Sequence, residues 1–339
     1  MNTTMWDTGG ATGNNTTIAE DESFTSITGI WVTGVCCILG LAGNILSFIV
    51  LFQAFKKSTM FLVLRSVIVS DIVFLLTVFI TMTLVNVYPY TGVLRTLHDS
   101  RGYVQFILWP ILMMSQMTTV WLTVFVSVER YVAICFPLKV ASLCTMRKVR
   151  GVIIAIFCTS VVFNVPRYFE YEYIRSDLSA KTALGHSTVY RYLYTCTLYS
   201  LFLFLLPLSL LIFLNAKLIL ALRRGRRMWR TLQVKQRKEQ NLTNIPLAIV
   251  VVFFICATPA LAVNVIEAMH PDIGYTAEYV MFLVVANLLV VLNSATNFII
   301  YCLLGRKFRT RLLQLCHLTW CKMTRYTQVA KDSKEATSV

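Results

Sequence analysis

Asp71 stands alone in an unbroken apolar stretch, and an isolated carboxylate there needs a cation, a proton or several hydrogen bonds to be tolerated. Glu129-Arg130-Tyr131 places opposite charges next to each other near the end of another apolar block. A further block holds Asn293-Ser294 and Asn297-Phe298-Ile299-Ile300-Tyr301, a set of amides and hydroxyls, and Asn44 follows Gly43 in the first. Ionisable side chains inside an apolar span are costly and mark function. These types hold ions and exchange hydrogen-bond partners; they do not make a catalytic set. The chain has no HExxH or GxSxG pattern, and its four histidines (98, 186, 270 and 317) are scattered outside the apolar blocks, so an enzyme is not expected.

The elements that carry these residues follow from composition. With 57% apolar and 14% charged residues in 339, the chain is far greasier than a water-soluble domain. Disorder and disulfide-stapled mini-domains are excluded by the same balance. The apolar residues gather into seven blocks, 27–54, 60–87, 103–135, 149–168, 193–222, 245–267 and 277–304, each long enough to cross a hydrocarbon core of about 30 Å. Apart from Asp71, Glu129 and Arg130 the blocks read as almost free of charge. The expected fold is an all-α membrane protein, a seven-transmembrane helix bundle with a short amphipathic cytoplasmic helix after the seventh span. The chain divides into a glycosylated extracellular tail (1–26), the bundle (27–304), an interfacial helix (305–320) and a cytoplasmic tail (321–339). No cleavable signal sequence is visible, so the first span is expected to serve as its own anchor.

Lysine and arginine set the orientation. One side carries Lys56 and Lys57, four between Lys139 and Arg150, eight between Arg223 and Lys238 and eight from Arg306 to Lys334, 22 in all. The other carries six: Arg95, Arg101, Arg167, Arg175, Lys181 and Arg191. The N-terminus is therefore expected outside, the C-terminus in the cytosol and the chain in the plasma membrane. The net charge of +15 is a sidedness signal and does not point to nucleic acid. Sequons at Asn2, Asn14 and Asn15 fall in the outer tail and are candidate glycosylation sites.

At this level the chain resembles a rhodopsin-like G-protein-coupled receptor. The run Val128-Glu129-Arg130-Tyr131-Val132-Ala133-Ile134-Cys135-Phe136-Pro137-Leu138 is similar to the family's third-helix signature, and Asn44, Asp71, Pro207 and Pro259 match the markers of helices one, two, five and six. A narrower resemblance, to invertebrate FMRFamide and myosuppressin receptors, rests on Asn164-Val165-Pro166-Arg167-Tyr168-Phe169-Glu170, on Val120-Trp121-Leu122-Thr123-Val124, and on Asn293 to Cys302 with Phe298 in place of the usual proline. It implies an amidated neuropeptide ligand of the Arg-Phe-amide type, a heterotrimeric G protein and arrestin as partners. The sequence departs from the wider family at Gln105, where most members have a cysteine bonded to the second extracellular loop, and at Ala257, where many have a tryptophan. Loop two is then expected to be held by packing and its own secondary structure.

The resemblance also assigns residues. Asp71, Thr119, Asn293, Ser294 and Asn297 match a sodium site of the resting state, the other reading being a neutral, hydrogen-bonded Asp71; no cofactor is required, and sodium would be allosteric. Arg130 is expected to pair with Glu129 and with Glu239 at the base of helix six, beside Tyr131 and Tyr301, unless Pro246 makes that helix start near Asn244. An Arg-Phe-amide end needs a carboxylate and an aromatic pocket. The candidates are Glu170, Glu172, Glu267 and Glu278 with Trp109, Tyr168 and Tyr279, and Gln116 for the amide. Each of these also reads as ordinary rim solvation. The third block has no acid before Glu129 for an amine ligand and the seventh no lysine for a retinal Schiff base. A transporter would need internal repeats and a path of charges, and neither is seen. Another peptide class remains the alternative ligand. The basic run Arg223 to Lys238 suits anionic lipid or the G-protein cavity. Residues 306–318 suit an interfacial helix on membrane lipid. Cys316 and Cys321 suit palmitoylation, and the terminal Thr337-Ser338-Val339 a PDZ domain.

Overall fold

A computed structural model of the chain describes residues 15–54, 58–175, 178–228, 233–269, 276–305 and 308–315. Helix α1 is Asn15–Ala54 and α2 is Thr59–Leu84, its last six residues in a wider π turn. Helix α3 is Arg101–Cys135; α4 is Met146–Asn164, continued by a 3-10 turn Val165–Phe169. Strands β1 (Tyr171–Arg175) and β2 (Leu178–Lys181) form an antiparallel hairpin. Helix α5 opens with π turns at Tyr190–Leu198 and Leu201–Leu205 and continues as Leu206–Met228. Helix α6 is Gln233–Met269 and α7 is Ala277–Ala295, resumed after Thr296 as Asn297–Leu304. Residues 308–315 form α8. Below, the end bearing the hairpin is the outer end, and the opposite end is the inner.

Among the described residues, seven helices are long and apolar enough to cross a membrane. Helices suit that medium because every backbone polar group is bonded within the segment. Side chains such as Leu39, Ile154, Phe157 and Val162 stay exposed and apolar, as a lipid-facing surface requires. The inner core joins Val50, Leu64, Ile68, Leu122, Val126 and Ile249 around Tyr301. A second core packs Met117, Val120 and Val124 of α3 against Tyr199, Leu203 and Leu211 of α5 and Phe253 of α6.

Three expectations change. Helix α1 reaches back to Asn15, so residues 15–26 are helical where a tail was expected; no glycine or proline interrupts the chain between Asn15 and Thr28. Helix α6 begins twelve residues before the expected 245, at Gln233, because hydropathy marks where a helix enters lipid and the polar run Gln233 to Gln240 is still a good helix former. The spans hold more charge than expected. Arg65 lies in α2, its Nε donating to Phe61 O at 3.0 Å and its guanidinium 5.8 Å from the Phe52 ring. Lys217 lies on α5, 5.5 Å from the Phe213 ring. Of the interfacial helix expected over 305–320, residues 308–315 are helical and 316–320 lie outside the described residues, as do Cys316 and Cys321.

Two π turns have different relations to proline. At the second one in α5, Leu206 N–H donates to Leu201 O, so the next π partner, for Phe202 O, would be Pro207, which has no N–H. Trp121 Nε1 of α3 donates to that carbonyl at 3.2 Å instead. The tryptophan singled out in the sequence thus closes a gap that a proline opens in the neighbouring helix. The π turn of α2 contains no proline, and Asn86 just beyond it donates its Nδ2 to the Thr81 and Met82 carbonyls at 3.1 and 3.0 Å.

Gly305 makes the corner between α7 and α8. A Cβ there would stand 2.5 Å from the backbone oxygen of Tyr301 and 3.1 Å from Phe308 Cβ. Arg309 caps the last turn by donating to the carbonyls of Cys302, at 3.0 Å, and Leu303. Phe308, Leu312 and Leu315 face inward at helical spacing while Arg309, Arg311 and Gln314 are exposed, the amphipathic division expected of an interfacial helix. Gly305→Ala is expected to cost about 1–3 kcal/mol by overpacking against backbone that cannot yield. Surface expression and thermal midpoint of the purified variant measure it, and a midpoint equal to the parent's would refute this account of the corner.

Candidate functional site

The site is three layers on one axis. In the middle layer Asp71 is fully buried. Its Oδ1 accepts from Thr119 Oγ1 at 3.1 Å and its Oδ2 from Asn297 Nδ2 at 2.6 Å, and the Ser294 hydroxyl is a third hydrogen-bonding neighbour. Three helices, α2, α3 and α7, thereby converge on one carboxylate. Among the described residues no lysine or arginine forms an ion pair with it. Asn293 is only half-buried, and no hydrogen bond from its side chain to Asp71 is formed. Asn44 of α1 reaches the same layer from the other side, donating to Gly40 O at 2.9 Å and to Ser294 O at 3.0 Å. Thr119 and Ser294 bring hydroxyl oxygens that could join the carboxylate around a small hard cation, whereas Asn297 presents its Nδ2 to Asp71 as a hydrogen-bond donor.

In the inner layer Arg130 Nη2 lies 3.9 Å from Glu129 Oε2, with Glu129 buried and Arg130 nearly so. That pair is at the limit of contact, and neither Glu129 Oε2 nor Arg130 Nε has a hydrogen-bond partner among the described residues. Glu239 is in the helical part of α6, since the helix starts at Gln233; its side chain lies outside the described residues. Tyr131 packs edge-on to Phe136 at 5.8 Å. Tyr301 is buried against Phe308 of α8, also at 5.8 Å, and Phe298 meets the same ring at 6.2 Å. A small cavity lies between the middle and inner layers, lined by Leu64, Val67, Thr123, Val126, Ser127, Ile249 and Tyr301. The Ser127 and Tyr301 hydroxyls are buried without a hydrogen-bond partner among the described residues. Unpaired polar groups of this kind cost about 1–3 kcal/mol each, so this layer holds polar groups that a change of packing could satisfy.

The outer layer separates the four expected carboxylates. Glu170 is buried and paired with Arg167, Nη1 to Oε2 at 3.1 Å. Glu267 at the end of α6 is exposed and accepts from Tyr279 OH of α7 at 3.0 Å. Glu278, in the first turn of α7, and Glu172, on β1, are exposed. Tyr279 itself is buried, so it supports Glu267 from behind. Trp109, Gln116 and Tyr168 are half-buried, the first two on α3 and the third in the 3-10 turn. Of the glycosylation candidates, Asn2 and Asn14 lie outside the described residues and Asn15 is the first residue of α1.

Residues not picked out beforehand matter too. Arg167 was visible in the Asn164–Glu170 motif, where its spacing of three from Glu170 suits an ion pair on one helical face, but the α5 tyrosines that flank it gave no sign. Ser70 Oγ donates to Ser115 O at 2.9 Å and joins α2 to α3; a single serine in a span carries no signal of that kind.

Seven spans, a buried carboxylate shared by α2, α3 and α7, and an inner Glu-Arg-Tyr define a receptor bundle, and residues 43–301 match the 7 transmembrane receptor (rhodopsin family). The chain belongs to that family, a multi-pass membrane protein. It is 29% identical over 299 residues to the "FMRFamide receptor" of Drosophila melanogaster, covering 82% of this chain and 52% of that protein. It is 30% identical over 314 residues to the "FMRFamide peptide receptor frpr-18" of Caenorhabditis elegans, covering 88% of this chain and 72% of the relative. It is also similar to the "Somatostatin receptor type 1" of Rattus norvegicus, 26% identical over 330 residues, 93% of this chain and 78% of the other. The chain thus spans about half the length of the Drosophila receptor and nearer three-quarters of the other two.

Proposed function

We propose that this chain is a plasma-membrane receptor for an amidated neuropeptide ending in Arg-Phe-amide, and that it passes peptide binding to a heterotrimeric G protein. The observation that carries the reading is the similarity to FMRFamide receptors over more than four-fifths of the chain. Charge supports the sidedness: six basic residues at the outer end against 22 at the inner put the N-terminus outside.

The geometry favours Glu267 as the acceptor of the ligand's guanidinium. It is exposed, and the buried Tyr279 hydroxyl fixes it, so the charged hydrogen bond to a ligand arginine forms at little entropic cost. Glu278 and Glu172 widen the acidic rim. Glu170 is committed to Arg167 and does not take part. Gln116, half-buried on α3, is the candidate for the terminal amide, with Trp109 and Tyr168 as the aromatic walls. Below them, sodium at Asp71 stabilises the resting arrangement, and Arg130 is released to the G protein when α6 moves away from α3. That movement also changes the partners of the unpaired Ser127 and Tyr301 hydroxyls. Arrestin is expected at the same inner face, with anionic lipid along the basic run 223–238, palmitate on Cys316 and Cys321, and a PDZ domain at Val339.

The test is G-protein activation in cells expressing the chain, with Arg-Phe-amide peptides beside their free-acid forms. Activation by the amides at concentrations at least tenfold below the acids is expected, since the amide donors are lost in the acid and a charge is added near the rim carboxylates. Equal potency of both forms, or silence despite surface expression, moves the ligand to another peptide class.

A further inference from the structure

The hairpin β1–β2 connects α4 to α5 and packs on α3, where it roofs the outer end of the bundle. No disulfide is formed among the described residues, and Cys196, the described cysteine near this end, is free. The hairpin is nevertheless closed and fastened. At its root Thr182 N donates to Glu170 O at 3.1 Å and Thr182 Oγ1 to Phe169 O at 2.6 Å. Glu170, the residue at that root, carries its side chain inward to Arg167, with Nη1 3.1 Å from Oε2 and 3.5 Å from Oε1. The two side chains are 7% and 11% exposed, so the pair is shielded from water and salt.

The guanidinium is held by more than its carboxylate. Its centre lies 4.8 Å from the Tyr199 ring and 5.4 Å from the Tyr194 ring, both on α5. Each tyrosine is itself tied down. Tyr194 OH donates to Phe163 O of α4 at 2.6 Å and stacks on Tyr190 at 5.0 Å; Tyr199 OH donates to Met113 Sδ of α3 at 2.7 Å. One arginine therefore connects the root of the hairpin to α3, α4 and α5. A planar guanidinium can pair with a carboxylate and lie on aromatic faces at once, which an ammonium does poorly.

We propose that Arg167 is a positioning residue: through Glu170 and the Tyr194–Tyr199 wall it fixes the hairpin over the peptide-binding end, as a non-covalent clasp. The ligand-facing half of this inference rests on the peptide-receptor reading above. The clasp itself does not.

Hydrogen–deuterium exchange on the purified full-length receptor separates the two. In the parent, the paired amides of β1 (Tyr171–Arg175) and β2 (Leu178–Lys181) are expected to be protected like those of the outer turn of α5. Arg167→Gln is expected to raise their exchange at least tenfold, with α2 and α7 unchanged, and to weaken peptide potency at least tenfold with the maximal response kept. Arg167→Lys recovers part of both. Glu170→Gln keeps shape and removes only the charge; it gives the same pattern to a smaller degree, and it decides the matter if Arg167→Gln does not reach the surface. A hairpin that exchanges freely in the parent overturns the clasp, as does exchange that rises equally throughout the bundle of the variant. If the parent ignores amidated peptides while the exchange pattern holds, the ligand reading fails and the clasp stands.

Discussion

Replacing Asp71 by asparagine is expected to remove the effect of sodium on peptide affinity. In the parent, raising sodium to about 0.15 M against a bulky cation of the same ionic strength is expected to weaken agonist binding about tenfold, a coupling within the usual 1–3 kcal/mol between linked sites. The reason lies in the buried carboxylate and its partners on three helices. A cation bound there favours the arrangement in which α2, α3 and α7 converge, and a peptide that favours another arrangement must compete with it. Coupling is reciprocal, so peptide should weaken sodium by the same factor. Asparagine keeps the shape and one of the two acceptor oxygens but loses the charge that attracts the ion. The variant should therefore show less than a twofold sodium effect at preserved expression. Equal sensitivity in parent and variant would place the ion elsewhere. A parent that does not distinguish sodium from the bulky cation would favour the hydrogen-bonded Asp71 without an ion.

The second large effect is at the inner end, where Glu239→Ala is expected to raise signalling in the absence of peptide about fivefold. Arg130 and Glu129 are 3.9 Å apart, too long for a strong charged hydrogen bond, and both are largely removed from water. An arginine so placed needs a further acceptor. Helix α6 starts at Gln233, so Pro246 sits inside the helix and Glu239 on a regular turn, which satisfies the condition for a lock between α3 and α6. A pair near the membrane surface contributes about 1 kcal/mol, and one to two kcal/mol is a factor of about 5 to 30 in a two-state population. Basal nucleotide exchange on a reconstituted G protein, normalised to receptor amount, reads it directly. Output equal to the parent's would remove Glu239 from the lock and leave Arg130 to Glu129 alone.

Much of the bundle was legible because the two signals that specify it, apolar length and basic sidedness, are averages over many residues. Asp71, Arg130 and Asn297 stood out individually because each is expensive where it lies. The failures are of two kinds. Averages hid single residues: Arg65 and Lys217 vanish into the hydropathy of their blocks, and each has its cation near a ring, at Phe52 and Phe213. Boundaries drawn from hydropathy describe the membrane and not the helix, which is why α1 and α6 both begin in polar sequence. Partnerships across the fold were legible only through the resemblance, which grouped Asp71 with Thr119, Ser294 and Asn297 and added Asn293, whose side chain makes no bond to Asp71. Nothing near Arg167 in the sequence announces Tyr194 and Tyr199. Trp121 was visible as a motif residue, but its purpose depends on a proline 86 positions later whose missing N–H frees a carbonyl.

A roof fastened by an ion pair and aromatic rings matures differently from one fastened by sulfur. Pairing of thiols takes seconds to hours and depends on an oxidising lumen and an isomerase, whereas a salt bridge forms as soon as α4 and α5 meet. The outer end of this receptor should therefore be completed in synthesis mixtures rich in thiol reductant, and an oxidant-starved secretory pathway should not delay its arrival at the cell surface.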